Sequence, residues 1–322
     1  MKTMQWLIKR ELWEHKGMLL WTPLAVATLM TLFAAVMLAF GHDANATLTL
    51  NGQERGFNYV IGNAYSSANR AETIAVMSRG YLMAAAPIFL MLGGLVFFYC
   101  LGALFDERRD RSLLFWKSLP VSDAQTVASK ALMALTVAPA ISVAIGALTA
   151  LLILLMLCLM MAFKGVNMLG YLLASPDLYL APLHIIGLLP LYALWALPTV
   201  GWLLMVSAWV RSKVFLWAVG APLLAGLLAL WANKAFGLEW NIEWFMQNVI
   251  SRILLGAEPG YWFVFDKVQQ QSTVLPGKML GSADVFTHSW ATLGSASPWI
   301  GAAAGLAMLY AAVRLRQWRA EG

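Results

Sequence analysis

The sequence predicts an all-α polytopic membrane protein: six transmembrane helices, an N-terminal interfacial helix, a short cytoplasmic helix between two spans, and helical extracytoplasmic loops. Three observations carry this. The 322 residues are 61% hydrophobic and only 12% charged, where a soluble domain has about 25% charged residues. The apolar residues gather into runs long enough to span a bilayer, about 20 residues each. Most of the 22 Lys and Arg fall in the short segments on one side of those runs, as retained cytoplasmic charge does.

The first element is a charged N-terminal stretch, residues 1–17, with Lys9, Arg10 and Lys16 beside Trp6 and Trp13. It suits a cytoplasmic helix at the headgroup level, with basic and indole side chains reaching the interface. Met4, Leu7, Ile8 and Leu12 form an apolar face, interrupted by Glu11 and His15. A plain juxtamembrane helix end therefore stands beside the amphipathic reading. No cleavable leader is expected, because the apolar run that follows exceeds a signal core in length.

Five windows then pass as spans: Met18–Phe40, Tyr81–Phe105, Ala131–Phe163, Ala181–Val210 and Val214–Trp231. A sixth, Trp290–Val313, is richer in Gly and Ala but uninterrupted by charge. Fourteen basic residues lie at the N-terminus, between spans two and three, between spans four and five, and at the C-terminus. The other eight are spread over the longer segments opposite. Both termini are thus expected to be cytoplasmic, and the net charge of +6 reads as topology, with no nucleic-acid partner expected. The chain is expected to be one transmembrane domain over 1–322, with an outer loop over 41–80, a charged segment over 106–122 and an outer segment over 237–289.

That outer segment places apolar residues at 245, 246, 249, 250 and 253, one helical face, followed by Tyr261-Trp262-Phe263-Val264-Phe265. Two readings stand: an aromatic belt or re-entrant element near an exit path, or a small capping subdomain.

Charge at membrane depth is expensive and usually functional, yet the five clear windows hold no Asp, Glu, Lys or Arg. Their one imidazole, His184, is expected to be an interfacial hydrogen-bonding residue. His15, His42, His184 and His288 are too scattered for metal-ligand spacing, Cys100 and Cys158 lie in apolar spans, and no nucleophile and base stand together. No catalytic residue, metal site or cofactor is expected in this chain. Small residues recur instead: Ala138, Ser142, Gly146 and Ala150; Pro222 and Gly226 beside Ala221, Ala225 and Ala229; Ser297, Gly301 and Gly305. Such stripes let helices approach closely, either within the bundle, which is favoured, or at a subunit interface. Prolines at 139, 190, 198 and 222 mark expected kinks.

The charged segment is the one stretch shaped to be gripped from outside. Asp106 to Leu119 reads as a short helix broken by Pro120, after which Ser122 caps the next helix and Gln125 completes a capping box. Mixed charges (Asp106, Glu107 and Asp110 against Arg108, Arg109 and Arg111) suit a docking surface, with Leu113, Leu114, Phe115 and Trp116 available to a partner's groove. A solvated loop is the competing reading.

The run Glu107-Arg108-Arg109-Asp110-Arg111-Ser112-Leu113-Leu114-Phe115-Trp116-Lys117-Ser118-Leu119-Pro120-Val121-Ser122, with Lys130 after it, resembles the signature of type 2 permease subunits of bacterial ATP-binding-cassette (ABC) transporters. Lys9-Arg10-Glu11-Leu12 is similar to the start of that family's interfacial helix, and the six-span plan matches along the whole chain. Arg111 stands where the family commonly has Gly, and the outer segment is longer than the hairpin of its polysaccharide exporters.

The resemblance implies a pathway-forming permease in a bacterial inner membrane, and the apolar, uncharged interior suggests export of a hydrophobic or amphipathic substrate. It would pair as a homodimer or with a second permease and be powered by a cytoplasmic ABC ATPase in two copies, which would hold the ATP and Mg. Its coupling helix would be formed by Glu107, Arg108, Arg109, Asp110, Ser112, Leu113, Phe115, Trp116 and Pro120, and its interfacial helix would carry Lys9, Arg10, Glu11 and Trp13. No phosphate-binding loop is present, since Gly277-Lys278 lacks the earlier Gly and the following Ser or Thr. The alternative is a non-transporting membrane scaffold or anchor for an ATPase complex.

Overall fold

The computed structural model describes residues 2–40, 47–50, 53–56, 67–109, 121–237, 240–265 and 281–318. Six helices there are long and apolar enough to cross a membrane: Gly17–Phe40, Thr73–Arg109, Asp123–Phe163, Pro176–Trp209, Val214–Phe236 and Ser297–Trp318. The chain is an all-α multi-pass membrane protein. Between spans one and two lie two short antiparallel strands, Thr47–Leu50 and Gln53–Gly56, paired with Thr47 opposite Gly56. Six crossings put both ends of the chain on one side, the terminal side; the opposite side is the far side.

The helices outrun the apolar windows. Spans two, three and four run 37, 41 and 34 residues, about 50–60 Å at 1.5 Å per residue against about 30 Å of hydrocarbon. Polar turns at their ends continue the backbone hydrogen bonding without adding hydropathy. Span three shows how its start is set. Ser122 is extended, its hydroxyl accepts from the Gln125 N–H at 3.2 Å, and the Gln125 side chain accepts from the Ser122 N–H at 3.1 Å. The capping box is thus formed as the spacing predicts, with Asp123 at the positive end of the helix. Ser122→Ala is expected to lower stability by about 1 kcal/mol, read as faster amide exchange in residues 123–127 with spans four and five unchanged.

The last span starts later than its apolar window. Trp290 belongs to a separate helix, Ser282–Ala291, and the last span begins only at Ser297. A 3-10 turn at Thr292–Gly294 and the extended Ser295 break the chain between them, ahead of Pro298. Proline marks other irregularities. A π-helical turn, Met133–Val137, precedes Pro139; span four breaks at Leu188 before Pro190; Pro198 and Pro222 sit inside their helices. The turn between spans four and five is closed by Lys213, the one non-glycine residue with positive φ (54°) among those described. Gly237 ends span five with φ 61°.

Span four is the hub. Its Leu191, Trp195, Val200, Leu203 and Leu204 are almost wholly buried, in one core with Leu92, Val96 and Tyr99 of span two and Met133 and Ala134 at the foot of span three. Span six crosses it at glycine. A β-carbon on Gly201 would lie 2.5 Å from the Gly305 carbonyl oxygen, and one on Gly305 would lie 2.7 Å from the Leu197 carbonyl. The span-three stripe is buried too, and Gly146 meets the Phe89 ring. Spans one and five are peripheral, with 11% and 22% of their apolar windows buried against 56% for span two.

The described residues of the outer segment form two parts. Helix 242–255, widened into a π turn at Met246–Ser251, enters the bundle from the far side and turns back at residues 256–261 into the short helix Trp262–Phe265. Met246 and Ile250 pack over Gly226 of span five. The Thr199 hydroxyl donates to the Arg252 carbonyl at 2.7 Å, and the Tyr192 hydroxyl to the Ala257 carbonyl at 2.9 Å. Thr199 lies about 15 Å along its helix from Trp209 at the terminal end, so this segment is re-entrant. The helix Ser282–Ala291 instead caps the far side: His184 Nδ1 and Ser282 Oγ are 3.2 Å apart, and the Phe286 ring lies 5.3 Å from the imidazole and against Gly187. His184 is the hydrogen-bonding residue its position suggests.

Candidate functional site

The ionisable residues absent from the middle of the spans meet at their terminal-side ends. Glu11 breaks the apolar face of the interfacial helix Lys2–Glu14, and the structure shows what the break is for: that face packs inward through Leu7, and Glu11 is 1% exposed. Lys130, near the foot of span three, is also 1% exposed, and its ammonium lies 2.9 Å from Glu11 Oε1 and 3.0 Å from Glu107 Oε1. On the other side of Glu107, Arg316 near the end of span six donates to Glu107 Oε2 at 2.8 Å and, through Nε, to Asp123 Oδ1 at 2.8 Å. Tyr99 donates its hydroxyl to Glu11 Oε2 at 3.1 Å, His15 lies 3.8 Å from the same oxygen, and Arg10 reaches Glu107 at 4.0 Å.

Three buried or half-buried carboxylates (Glu11, Glu107, Asp123) and two buried cations (Lys130, Arg316) therefore form one network, with Arg10, paired to Glu14, at its edge. It joins the interfacial helix, the foot of span two, the start of span three and the end of span six, and its partners lie up to 209 positions apart in the chain. Burying such charges costs several kcal/mol per ion, which their mutual attraction offsets only in good geometry. A well-packed apolar cluster would hold these helices at least as well. Ion pairing adds directional contacts that move as a set and break discretely, the property a mechanical joint needs.

Arg108 performs a second fastening. Its guanidinium donates to the carbonyls of Ser207 and, at 2.9 Å, Val210, the last turn of span four. The Ser207 hydroxyl in turn accepts the Leu104 and Phe105 N–H groups at 3.1 and 3.0 Å, where span two breaks. The foot of span two is thus locked to span four on one side and to spans three and six on the other.

The sequence-predicted residues divide accordingly. Glu107 and Arg108, expected on a docking surface, are turned into the bundle because their charges find buried partners there. Arg109 is exposed, with Asp106 3.7 Å away. Asp110, Ser112, Leu113, Phe115, Trp116 and Pro120 lie outside the described residues. On the interfacial helix, Glu11 is the inward contact and Arg10 pairs with Glu14 at 3.2 Å, whereas Lys9 and Trp13 face outward, Lys16 lying over the Trp13 ring at 5.4 Å. Sequence reasoning missed Asp123 as a network member, Arg316 and the Lys130–Glu11 pair. The signal was present as single charges next to apolar runs at the same end of four different helices, but no local spacing links them.

Among the described residues, no group of three or more His, Cys, Asp or Glu is placed to hold a metal ion. What the arrangement offers is force transmission. Glu107 and Asp123 lie on either side of residues 110–120 in the sequence, and one side chain, Arg316, holds both carboxylates. Comparison with known protein families, curated proteins and solved structures finds no match to this chain.

Proposed function

We propose that this chain is the permease subunit of a type 2 ABC exporter, forming the path for a hydrophobic or amphipathic substrate. A separate cytoplasmic ATPase, carrying ATP and Mg, engages the segment 106–122. The observation that carries the reading is the clamp at the base of that segment. With Glu107 and Asp123 both held by Arg316, and Glu107 also held by Lys130, a push transmitted to either carboxylate moves span six, span three and, through Glu11, the interfacial helix together. The spans themselves hold no central carboxylate, and in this reading differential binding by a partner selects between two states of the bundle. In this reading the bundle dimerises with itself or with a second permease in a bacterial inner membrane, termini cytoplasmic. The scaffold reading shares the docking segment but leaves the buried clamp without a mechanical task.

The test uses the outward charges. Asp106→Lys with Arg109→Glu, and separately Trp116→Ala, are expected to leave the purified yield and helical content unchanged while lowering at least tenfold the co-purification of an ABC ATPase from the native membrane. Stimulation of its ATP hydrolysis should fall in parallel. Absence of any ATPase from the wild-type complex after cross-linking would overturn the reading, and an ATPase that binds but hydrolyses ATP equally well without this chain would favour the scaffold.

A further inference from the structure

The re-entrant helix buries a cation that the proposed coupling does not use. Arg252 is 5% exposed, and among the described residues its contacts are with neutral groups only. Nη1 donates to the Ser297 carbonyl at 2.6 Å and hydroxyl at 2.9 Å, Nη2 lies 3.5 Å from the Pro298 carbonyl, and the guanidinium stacks at 4.5 Å on the Trp195 ring. Its Nε is buried with no hydrogen-bond partner. Space for it is cleared by Gly301, where a β-carbon would lie 2.2 Å from the guanidinium carbon. The fold therefore builds a seat for a charge and leaves that charge uncompensated, which is costly in an apolar setting.

Arg252 lines a cavity of about 370 Å³ between the re-entrant helix, span four and span six, within the roughly 300–1,000 Å³ usual for small-molecule sites. Its polar groups, Arg252, Ser297 and Asn248, gather toward the far-side end of span six; from there the wall continues along Ile300, Ala304 and Met308, purely apolar. Met308 lies about 10 Å beyond Gly301 along the helix axis, toward the bilayer centre. The groove opens sideways: Ile300 is 69% exposed and Trp244 58%.

We propose that this groove holds an anionic phospholipid drawn from the far-side leaflet, its phosphate neutralising Arg252 and one acyl chain lying along Ala304 and Met308. Charge complementarity and polarity order select this occupant. A cation without a counter-charge sits against Ser297 and Gly301, in the first turn of span six at its far-side end, and the apolar wall runs inward from it as an acyl chain of that leaflet does. The groove stands independently of any ATPase partner.

The experiment is native mass spectrometry of the detergent-solubilised full chain, titrated with phosphatidylglycerol or with phosphatidylcholine of the same acyl chains. Wild type is expected to retain one phosphatidylglycerol at roughly tenfold lower concentration than phosphatidylcholine, the scale of one charge-assisted contact. Arg252→Gln should equalise the two lipids. Ala304→Trp, which fills the groove wall without touching the guanidinium's partners, should lose the tight phosphatidylglycerol while keeping wild-type helical content. Equal retention of both lipids by wild type, or an undiminished preference in either variant, would overturn the proposal. Displacement of phosphatidylglycerol by equimolar inorganic phosphate would overturn it as well, since the acyl chain would then contribute nothing.

Discussion

Lys130→Met is expected to be the most damaging single substitution on the terminal side, lowering stability by about 3–5 kcal/mol, the range for removing one partner of a buried ion pair. The reason is what it leaves behind. Glu11 and Glu107 both sit within 3.0 Å of the ammonium, and both are nearly fully buried. Glu107 keeps Arg316 at 2.8 Å, but Glu11 keeps only the Tyr99 hydroxyl and, at 3.8 Å, His15. Glu11→Gln in the same chain should therefore recover a large part of the loss, because a neutral amide still accepts from Tyr99 and no longer needs a cation. The check is a double-mutant cycle on denaturant unfolding in detergent, in which additive losses would show that Glu11 and Lys130 are not coupled. The cycle also separates two roles. If the double variant regains stability yet no longer lets an ATPase partner be stimulated, the ion pair serves motion; if both return together, it serves only to hold the helix in register.

The second large effect is expected at the crossing of spans four and six. Gly305→Ala should cost about 1–3 kcal/mol by overpacking, because the new methyl would meet the backbone of Leu197, which cannot rotate away as a side chain can. Gly201→Ala should cost a similar amount against the Gly305 carbonyl. Gly94→Ala is the control: its β-carbon would meet nothing within 4 Å, so the change should be neutral or gain up to about 1 kcal/mol from helix propensity. Thermal unfolding of the three variants in one detergent checks the ranking. A Gly305→Ala protein as stable as wild type would mean that the two spans separate freely, and the hub described here would be wrong.

These effects mark the boundary of what was legible in the chain. The number of spans, the capping box at Ser122 and Gln125, and the close packing at Gly146 and Gly305 follow from apolarity and spacing, since each is a relation between residues a few positions apart; Gly301 instead makes room for the Arg252 guanidinium. The last span could not be started correctly from hydropathy, because the helix Ser282–Ala291 before the turn at Thr292–Gly294 is about as apolar as the span after it. Glu107 and Arg108 were legible as charges in a gripping segment, yet not as inward-facing ones. Exposure depends on partners far away in sequence, and both residues found them.

By itself, then, the sequence determined that the protein lies in a membrane, crosses it with six helices and leaves one charged segment between spans two and three. Those properties come from transfer free energy and local hydrogen bonding, which each stretch of chain settles alone. Only the tertiary structure decided that Glu11, Lys130, Glu107, Arg316 and Asp123 form one buried network and that Arg252 faces a groove uncompensated. Charge pairing at depth depends on distance in space, and that distance exists only after helices far apart in the chain have packed side by side.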